Sequence, residues 1–479
     1  MKRRDFIKST GVLSTATAAT GLFGNNFIFG KNTAKIGNNK LPLKRNDVSI
    51  YNQKELTHIG EYTLEELKEK YENELYNYII PMWYKKGIDK KYGGFMCEIN
   101  YDDETYASTD KNVWYQNRGL YTFSHIYRFF DKDKRHLEVM EKTKEFLLKH
   151  CVDKNYNWYA KVSRDGTKII EPKHLASDMH AVHGFGEYYL ATGDEEALNV
   201  VVKTSINFIK KLTAPSVQYE SWMQPGLDPY GLWFHFLSAL TPVLEKISDK
   251  YNTFETYTYM DVERLKGMAP FAVKKMKAHL DYDRRMVFEF IDRNGKIPKE
   301  EVYRYIPNGH GIGGSWTYMA EALRIGDRNL FRKGMDTLNW HFTKGWDFKR
   351  GGGVVVLVSP EKPNKILGDG TKPSFATDDG TVGLILSIEH SHDPWAIEWF
   401  DMVRTWAYKT YFDKKKKVWI HTADINGKPN YSYARRGNFH HPRSVMLIIE
   451  SLKRQIARGG HVSNFFDEIY DTSLESETK

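Results

Sequence analysis

The segment Tyr303–Trp316, YRYIPNGHGIGGSW, carries a histidine at the start of a predicted helix. Its Pro, Asn and Gly residues are typical of a turn, after which Ile312, Trp316 and Met319 recur at helical spacing. His310 therefore falls in the first helical turn, where unpaired backbone N–H groups disfavour a charged imidazolium ring. A neutral imidazole can accept a proton, so His310 is a candidate general base. The alternative is a histidine that only packs at a helix start.

Other predicted helices also begin with side chains that can exchange protons or bind oxygen atoms. They are Trp114, Tyr115, Gln116 and Arg118 on the second helix, His180 and His183 on the fourth, Asp378 and Asp379 on the tenth, and His440, His441 and Arg443 on the twelfth. One polar group at a helix start is usually a cap, but several such groups at one end indicate a shared site. Two facing neutral histidines can remove a proton from carbon and return it. Arg118 or Arg304 can stabilise the enediolate oxygen that develops.

About twelve predicted helices, most of them in pairs, must position these residues. Within a pair the link is short and contains an Asp cap, as at Asp194, Asp327 and Asp393. Between pairs the links are long, and several have the alternating pattern of a β-hairpin. This alternation predicts an all-α fold with two concentric rings of helices, an (α/α)6 barrel with short β-hairpins in the long links. The second, fourth, eighth, tenth and twelfth helices are assigned to the inner ring, with their first turns at one end.

Capping residues and apolar spacing predict the helix boundaries. The clearest start is the capping box of Thr63 and Glu66, from which the first helix runs to about Trp83. Hairpins or strands are predicted in KKYGGFMCEIN, WYAKVSRDGTKII, FEFIDRNGKI, GGGVVVLV and VWIHTADINGKPNYSY. Five further helices are predicted at about 114–130, 174–191, 233–251, 262–280 and 438–456. The outer partners of the first two of these end near residues 151 and 212. Two more inner helices begin near residues 310 and 377 and end at the turns RIGDRN and EHSHDPW, where Asp327 and Asp393 start their partners.

The N-terminus reads as a removable export signal of the twin-arginine kind. A basic run with paired arginines at Lys2–Lys8 precedes a mildly apolar stretch that ends near Phe29. Residues 1–30 are therefore predicted to be the signal, and the polar residues 31–53 a linker. Residues 54–479 are predicted to form a single barrel domain, and the protein is expected to be exported, to the periplasm.

Composition excludes several classes of function. The net charge of +9 is mild for 479 residues, and Lys414–Lys417, the one notable run, reads as a solvated turn rather than a nucleic-acid patch. No segment is long and apolar enough to span a membrane. Two cysteines, Cys97 and Cys151, argue against a disulfide framework. His180 and His183 lie one helical turn apart, but without an HExxH or CxxC motif neither a metal nor another cofactor is predicted.

Four segments resemble the N-acylglucosamine 2-epimerase family, which includes cellobiose and mannose 2-epimerases and aldose–ketose isomerases. WYQNRGLYTFSHIY resembles the family's W-x-Q-x-R motif, and YGGFMCEIN its GGF segment. RYIPNGHGIGGSW resembles its R-x(5)-H loop followed by Trp, and NFHHPRSVM its final F-H-x-P-R segment. Order and spacing agree from about residue 92 to 443. The resemblance implies an (α/α)6 barrel that acts on a reducing mono- or oligosaccharide without a cofactor, as a monomer or homodimer.

The resemblance also implies roles for particular residues. His310 and His440 match the two histidines that act as acid and base at C2 of the open-chain sugar. Arg118 and Arg304 match the arginines of the W-x-Q-x-R motif and the loop, and His180 matches a histidine of members that act on disaccharides. Return of the proton to C2 gives the epimer, and return to C1 gives the ketose. Further residues expected to bind substrate are Trp114, Tyr115, Trp316 and Asp379.

Three carboxylates of the family pattern are missing or shortened in this chain. Gly313 replaces a glutamate three residues after the first histidine, Asp379 replaces the glutamate of W-W-P-x-x-E, and His183 replaces a glutamate on the fourth helix. These changes imply an altered substrate, a slower enzyme or a protein that binds sugar without converting it. An (α/α)6 glycoside hydrolase or lyase that uses Asp378 and Asp379 also stays open, although a second, separated carboxylate is not evident.

Overall fold

The computed structural model describes residues 55–219, 223–247, 259–362 and 365–466. The predicted export signal and linker lie outside the described residues. Within the described part of the chain there are twelve main helices. They are α1 (Leu64–Glu74), α2 (Val113–Phe129), α3 (Lys134–His150), α4 (Leu175–Thr192), α5 (Glu195–Leu212), α6 (Tyr230–Ile247), α7 (Tyr259–Ala278), α8 (Asn308–Ile325), α9 (Arg328–Gly345), α10 (Ser374–Ser391), α11 (Pro394–Tyr411) and α12 (His440–Ala457).

The twelve helices form two concentric rings. The even-numbered helices pack side by side in a closed inner ring, with α12 returning to α2. Each odd-numbered helix packs outside its inner neighbour, α3 on α2 and so on, with α1 on α12. An inner helix such as α10 is buried over nearly its whole surface, whereas the outer helices bury one apolar face. The fold is therefore the predicted all-α (α/α)6 barrel.

Local capping explains where many of the helices begin. The Thr63 hydroxyl accepts a hydrogen bond from the N–H of Glu66 at 3.1 Å, and the Glu66 carboxylate accepts one from the N–H of Thr63 at 2.9 Å. This is the predicted capping box at the start of α1, which continues through π-helical turns to Gly87. Asp194 and Asp327 cap the outer helices α5 and α9, also as predicted.

Helix α6 differs most from the sequence prediction. It begins at Tyr230, three residues earlier than expected, and it packs between α4 and α8 in the inner ring. The sequence analysis did not assign it to that ring. Residues 248–251 of the predicted helix lie outside the described part of the chain. Helices α8 and α10 also begin slightly early, at Asn308 and Ser374, because the short strands before them lead directly into the first turn.

Short antiparallel strands occupy the links between helices. They are β1 (His58–Ile59), β2 (Tyr62–Thr63), β3 (Lys111–Asn112), β4 (Tyr159–Val162), β5 (Ile169–Lys173), β6 (Asp228–Pro229), β7 (Leu280–Asp281), β8 (Met286–Val287), β9 (Phe290–Ile291), β10 (Ile306–Pro307), β11 (Leu357–Val358), β12 (Lys372–Pro373), β13 (Phe412–Asp413), β14 (Val418–Trp419) and β15 (Thr422–Ala423). The WYAKVSRDGTKII hairpin is confirmed as β4 and β5. GGGVVVLV is a strand only at Leu357–Val358, and KKYGGFMCEIN forms isolated bridges rather than a strand.

Four of the strand pairs tie neighbouring helix pairs together. A strand that ends just before an inner helix pairs with a strand that follows the next outer helix: β3 with β4, β6 with β9, β10 with β11, and β12 with β15. In the second of these pairs, Pro229 lies opposite Phe290. The links therefore interlock at the end of the barrel where the inner helices begin, and they set the position of those first turns.

Two buried lysines reinforce this end of the barrel in equivalent ways. Lys111 lies two residues before α2, and its ammonium group is 3.0 Å from the carboxylate of Asp89 and donates to the carbonyl of Gly93 at 2.6 Å. Lys372 lies two residues before α10 and makes the same kind of contact with Asp347, at 3.1 Å. All four charged side chains are almost completely buried. They form an internal repeat that the sequence analysis did not detect.

Two further predictions concern the chain as a whole. None of the helices in the described ranges combines the length and apolar composition needed to cross a bilayer. Cys97 and Cys151 are buried thiols that are not bonded to each other.

Candidate active site

His440, the first residue of α12, is buried at the end of the barrel where the inner helices begin. Its Nε2 atom is 3.4 Å from Nη2 of Arg118, and its Nδ1 atom is 3.5 Å from Oδ1 of Asp379. Burial and the charges of Arg118 and Arg443 lower the pKa of His440 well below its usual value. The ring is therefore neutral at neutral pH. Both ring nitrogens face a guanidinium donor, Nε2 that of Arg118 and Nδ1 that of Arg443 at 3.4 Å, while Asp379 offers Nδ1 an acceptor.

His310 is the third residue of α8, and a carboxylate supports it from another element. Its Nδ1 atom is 2.6 Å from Oε2 of Glu289, which lies in the link between β8 and β9. The other carboxylate oxygen of Glu289 accepts a hydrogen bond from the N–H of Gly231 at 3.2 Å. The family pattern predicts this carboxylate three residues after the histidine, a position that is Gly313 in this chain. The missed signal was a single acidic residue inside the apolar run MVFEFI, where a charge must be paired.

The structure brings His310 and His440 to the same end of the barrel. The ring of Phe375, in the first turn of α10, is 6.4 Å from the His310 ring and 5.4 Å from the His440 ring. Both histidines also lie near Asp379: burial raises the pKa of this carboxyl group, the charges of Arg443 and Arg118 oppose that rise, and His310 opposes it as well when its ring is protonated. The two imidazoles therefore lie in one buried region at this end of the barrel, with the Phe375 ring beside both.

Three more histidines lie in the adjacent part of this region. The ring of His180 is 5.4 Å from that of His183 and 5.5 Å from that of His235, and His235 is 6.1 Å from His440. Burial lowers the pKa of all three rings well below the usual value, and the charge of Arg118 lowers it further. All three are therefore neutral. His235 was missed because the sequence analysis did not assign α6 to the inner ring.

Aromatic rings and guanidinium groups form a wall beside His440. Trp114 and Tyr115 stack with their ring centroids 5.3 Å apart. The guanidinium group of Arg118 lies 5.0 Å from the Trp114 ring, and that of Arg435 lies 4.0 Å from the Tyr115 ring. Burial, Arg435 and Arg443 lower the pKa of Arg118 to about 9, so it is cationic at neutral pH. This wall presents flat apolar faces together with charge for ligand oxygens.

Asp379 and Arg443 form a buried ion pair beside Trp316. Nη2 of Arg443 donates to Oδ1 of Asp379 at 2.6 Å, and the guanidinium group lies 4.8 Å from the Trp316 ring. Several buried polar atoms around the cavity have no hydrogen-bond partner among the described residues. They are Trp114 Nε1, Arg118 Nε, His180 Nδ1, His235 Nδ1, Trp316 Nε1 and Asp379 Oδ2. Because such atoms are costly to bury alone, their clustering indicates a site prepared for a polar ligand.

Arg304 is the predicted site residue that the structure does not bring to this cluster. It lies before β10, and its guanidinium group forms an ion pair with Glu361. The Arg304 side chain keeps 34% of its surface exposed, whereas that of Arg443 keeps 2%. The local direction of the chain before β10 turns this side chain towards the link that carries β11. In this structure Arg304 therefore makes a contact between two links, and its role in substrate binding stays a prediction.

His441, next to His440 in sequence, faces away from it into a separate buried network. Its Nε2 atom is 2.8 Å from Glu74 and its Nδ1 atom is 3.0 Å from Asp378. Burial alone would lower the pKa of His441, but these two carboxylates raise it to about 9. The ring also stacks on Trp419 at 3.6 Å. His441 is therefore a charged structural residue that joins α12 to α1 and α10.

Among the residues that the structure describes, no group of three or more His, Cys, Asp or Glu side chains is arranged to hold a metal ion. One of the closely spaced histidines, His183, instead forms a hydrogen bond through Nε2 with the hydroxyl of Ser238 at 3.0 Å.

The fold and the cavity define an (α/α)6 barrel with neutral histidines, arginines and aromatic rings at the starts of its inner helices. The model of the family "N-acylglucosamine 2-epimerase (GlcNAc 2-epimerase)" matches residues 93–231. The chain is 22% identical over 415 residues to the N-acylglucosamine 2-epimerase of Rattus norvegicus, and this alignment covers 83% of this chain and 94% of that protein. It is 29% identical over 138 residues to the cellobiose 2-epimerase of Bacteroides fragilis, which covers 29% of this chain and 35% of that protein.

Solved structures agree with these matches. The crystal structure of a sugar epimerase from a ruminal bacterium superposes with a TM-score of 0.66 at 20% identity, covering 80% of this chain and 98% of that one. The comparisons confirm the resemblance that the motifs predicted: the chain is related to the N-acylglucosamine 2-epimerase family of carbohydrate epimerases and isomerases. The family match ends before His310 and His440, so the roles of these two residues rest on the geometry of the cavity.

Proposed function

We propose that this protein is a sugar 2-epimerase or aldose–ketose isomerase that acts through His310 and His440. The observation that carries the proposal is a pair of buried imidazoles beside the same Phe375 ring, one of them next to Arg118. A neutral imidazole can take a proton from C2 of an open-chain sugar, and the second ring, once it has itself taken up a proton from solvent, can return that proton from the other side. Relatives named as epimerases support this reading.

The reaction needs a group that stabilises the enediolate. When the C2–H bond breaks, its electron pair moves into the C1–C2 bond and negative charge develops on the sugar oxygens. Arg118 is buried and cationic, it contacts His440 at 3.4 Å, and its Nε atom has no partner among the described residues. A charge held in a water-poor cavity stabilises such an oxyanion far better than the same charge in water. Return of the proton to C2 gives the epimer, and return to C1 gives the ketose.

The substrate we propose is a reducing saccharide, and the cavity supplies groups for its hydroxyls. His180, His183 and His235 are neutral, so each ring can both donate and accept a hydrogen bond. Trp114 and Tyr115 offer stacked faces to a ring. N-acylglucosamine and cellobiose, which the relatives' names give, are the first compounds to test.

Proton exchange at C2 tests the proposal directly. The protein is incubated in D₂O with cellobiose, mannose and N-acetylmannosamine, and NMR follows deuterium at C2. His310→Asn and His440→Asn should each slow exchange on the order of 10² to 10⁴ fold. His136→Asn is the matched control, because His136 is a buried histidine with a lowered pKa on the outer helix α3. No deuterium in any aldose tried would contradict the proposal.

Two other functions remain as alternatives: a glycoside hydrolase, and a protein that binds sugar without converting it. A glycoside hydrolase would need two carboxylates free to act across the sugar. Asp378 instead contacts His441 at 3.0 Å and Asp379 binds Arg443 at 2.6 Å. A protein that binds sugar without converting it is the second alternative. Calorimetry would then detect binding without exchange, and His440→Ala would leave the affinity unchanged.

We also propose that the protein is exported to the periplasm, on the basis of the paired arginines Arg3 and Arg4 before an apolar stretch. Replacing both arginines with lysine should retain the protein in the cytoplasm, and cell fractionation measures this. An unchanged distribution would contradict a twin-arginine signal. Light scattering of the purified protein tests the predicted monomer or homodimer.

A further inference from the structure

Glu289 is a buried carboxylate that reaches the candidate catalytic His310 from outside the helix that carries it. Glu289 is 1% exposed, and its Oε2 atom is 2.6 Å from Nδ1 of His310. We propose that Glu289 is the positioning residue of His310 and takes over the task of the glutamate that Gly313 replaces. This proposal rests on the proposed function, because it assigns a partner to that function's acid/base residue.

The strand pairing fixes where this carboxylate lies. Strand β9 begins one residue after Glu289 and pairs with β6, which leads directly into α6. The carbonyl of Glu289 accepts a hydrogen bond from the N–H of Tyr230 at 2.8 Å, and its Oε1 atom accepts one from the N–H of Gly231 at 3.2 Å. The first N–H groups of α6 thus hold both the backbone and the side chain of Glu289. The carboxylate has little freedom to turn away from His310.

Two glycines make room for this arrangement. A Cβ atom on Gly231 would lie 2.9 Å from Cε1 of His310 and 3.1 Å from Oε1 of Glu289, closer than real Cβ atoms normally approach. A Cβ atom on Gly313 would lie 2.8 Å from the ring of Phe234. The space beside Gly313 is therefore filled by an aromatic ring. The carboxylate enters from the β8–β9 link instead, through the gap that Gly231 leaves open.

The contact determines which nitrogen of His310 does the chemistry. A carboxylate only accepts hydrogen bonds, so Nδ1 of His310 carries a proton, and in the neutral ring Nε2 is the nitrogen that has the lone pair. The proton that leaves C2 is then taken by Nε2, and the resulting imidazolium is stabilised by the charge of Glu289. Without the carboxylate the ring can adopt the other tautomer, which has no basic nitrogen at that position.

Glu289→Gln tests this role with almost no change in size. Wild-type Glu289 accepts from two donors, the N–H of Gly231 and Nδ1 of His310, whereas a glutamine has one oxygen and can accept from only one side. We expect kcat to fall on the order of 10² to 10⁴ fold while KM changes less than about threefold. In ¹⁵N NMR, the His310 ring should be protonated at Nδ1 in the wild type and should lose that preference in the variant. His310→Asn assigns the signal.

A matched control separates positioning from packing. Glu321 lies on the same helix as His310 and is also 1% exposed, but it binds Thr241 and Arg324 at the other end of the helix. Glu321→Gln should lower the melting temperature but leave kcat, KM and the His310 tautomer as they are in the wild type. As a second variant, Glu289→Ala should regain at least about tenfold in kcat with added formate but not with formamide, since only formate carries the charge.

Two results would overturn the assignment. One is Glu289→Gln with kcat within about threefold of the wild type, and the other is an unchanged His310 tautomer in that variant. Equal restoration of Glu289→Ala by formate and formamide would overturn the requirement for charge. The tautomer is read without substrate, so it decides the role of Glu289 even if the wild type exchanges no proton. A wild type that exchanges no proton would count against the proposed function alone.

Discussion

Replacing Asp379 with asparagine tests how the cavity holds both Arg443 and His440. Oδ1 of Asp379 accepts a hydrogen bond from Arg443 at 2.6 Å, and the two side chains are 1% and 2% exposed. Asparagine keeps the size and one acceptor oxygen but removes the negative charge. A buried cation that loses its counter-charge costs about 3–5 kcal/mol of unfolding free energy. With about 2.1 cal/mol/K of unfolding entropy per residue and roughly 400 described residues, the melting temperature should fall by about 4–6 °C.

The same substitution should impair catalysis by a separate route. Oδ1 of Asp379 lies 3.5 Å from Nδ1 of His440 and also binds the Arg443 guanidinium group, which is itself 3.4 Å from that nitrogen, so the carboxylate positions both neighbours of the ring. Without it we expect kcat for C2 exchange in D₂O to fall on the order of 10² to 10⁴ fold. Differential scanning calorimetry and NMR exchange measure the two effects on the same sample.

Asp347→Asn is the control for this pair of effects. Asp347 is also a buried carboxylate, 6% exposed at its side chain, and it pairs with Lys372 at 3.1 Å in a link between helices. It should lower the melting temperature by a similar amount and leave kcat within about threefold of the wild type. If Asp379→Asn loses only stability, as the control does, the inference that Asp379 orients His440 is refuted.

Three further predictions concern the barrel. Lys111→Met removes the buried cation beside Asp89, which keeps its ion pair with the partly exposed Arg164, so urea denaturation should show a loss of about 1–3 kcal/mol; an unchanged midpoint would contradict the predicted role of the lysine. Two glutamates outweigh burial and raise the pKa of His125 to about 10, above about 6.5 in the unfolded chain, so this stabilisation is complete below pH ~6.5 and is lost as the pH rises through about 10. The unfolding free energies of the wild type and His125→Asn, measured at both ends of this pH range, should differ at low pH and become equal at high pH. A difference that stays constant with pH would refute the assignment. Gly314→Ala places a methyl group against the hydroxyl of Tyr230 and should cost about 1–3 kcal/mol in urea denaturation, whereas an unchanged midpoint would show that the ring moves freely.

Much of the fold was predictable because its signals are short in range. The capping box of Thr63 and Glu66 and the aspartate caps of the outer helices act within one helical turn. The alternation of short and long links then led to two rings. His310 and His440 were found in the same way, since each lies at the start of an inner helix.

The errors concern contacts between residues far apart in the chain. Glu289 reaches His310 because β9 pairs with β6 and brings the link beside α6. His235 joins the histidine cluster only because α6 packs between α4 and α8. Arg304 was predicted as a site residue from its motif, and its ion pair with Glu361, in a different link, was not predicted. None of these contacts leaves a periodic pattern in the sequence.

The sequence by itself determined the helices, their pairing and the inner-helix starts that carry His310, His440 and Arg118, because capping and amphipathic spacing are local physical effects. Only the tertiary structure decided which carboxylate supports His310. That choice depends on which space is filled at Gly313 and which is left open at Gly231, and steric fit between distant segments exists only once the ring of helices has closed.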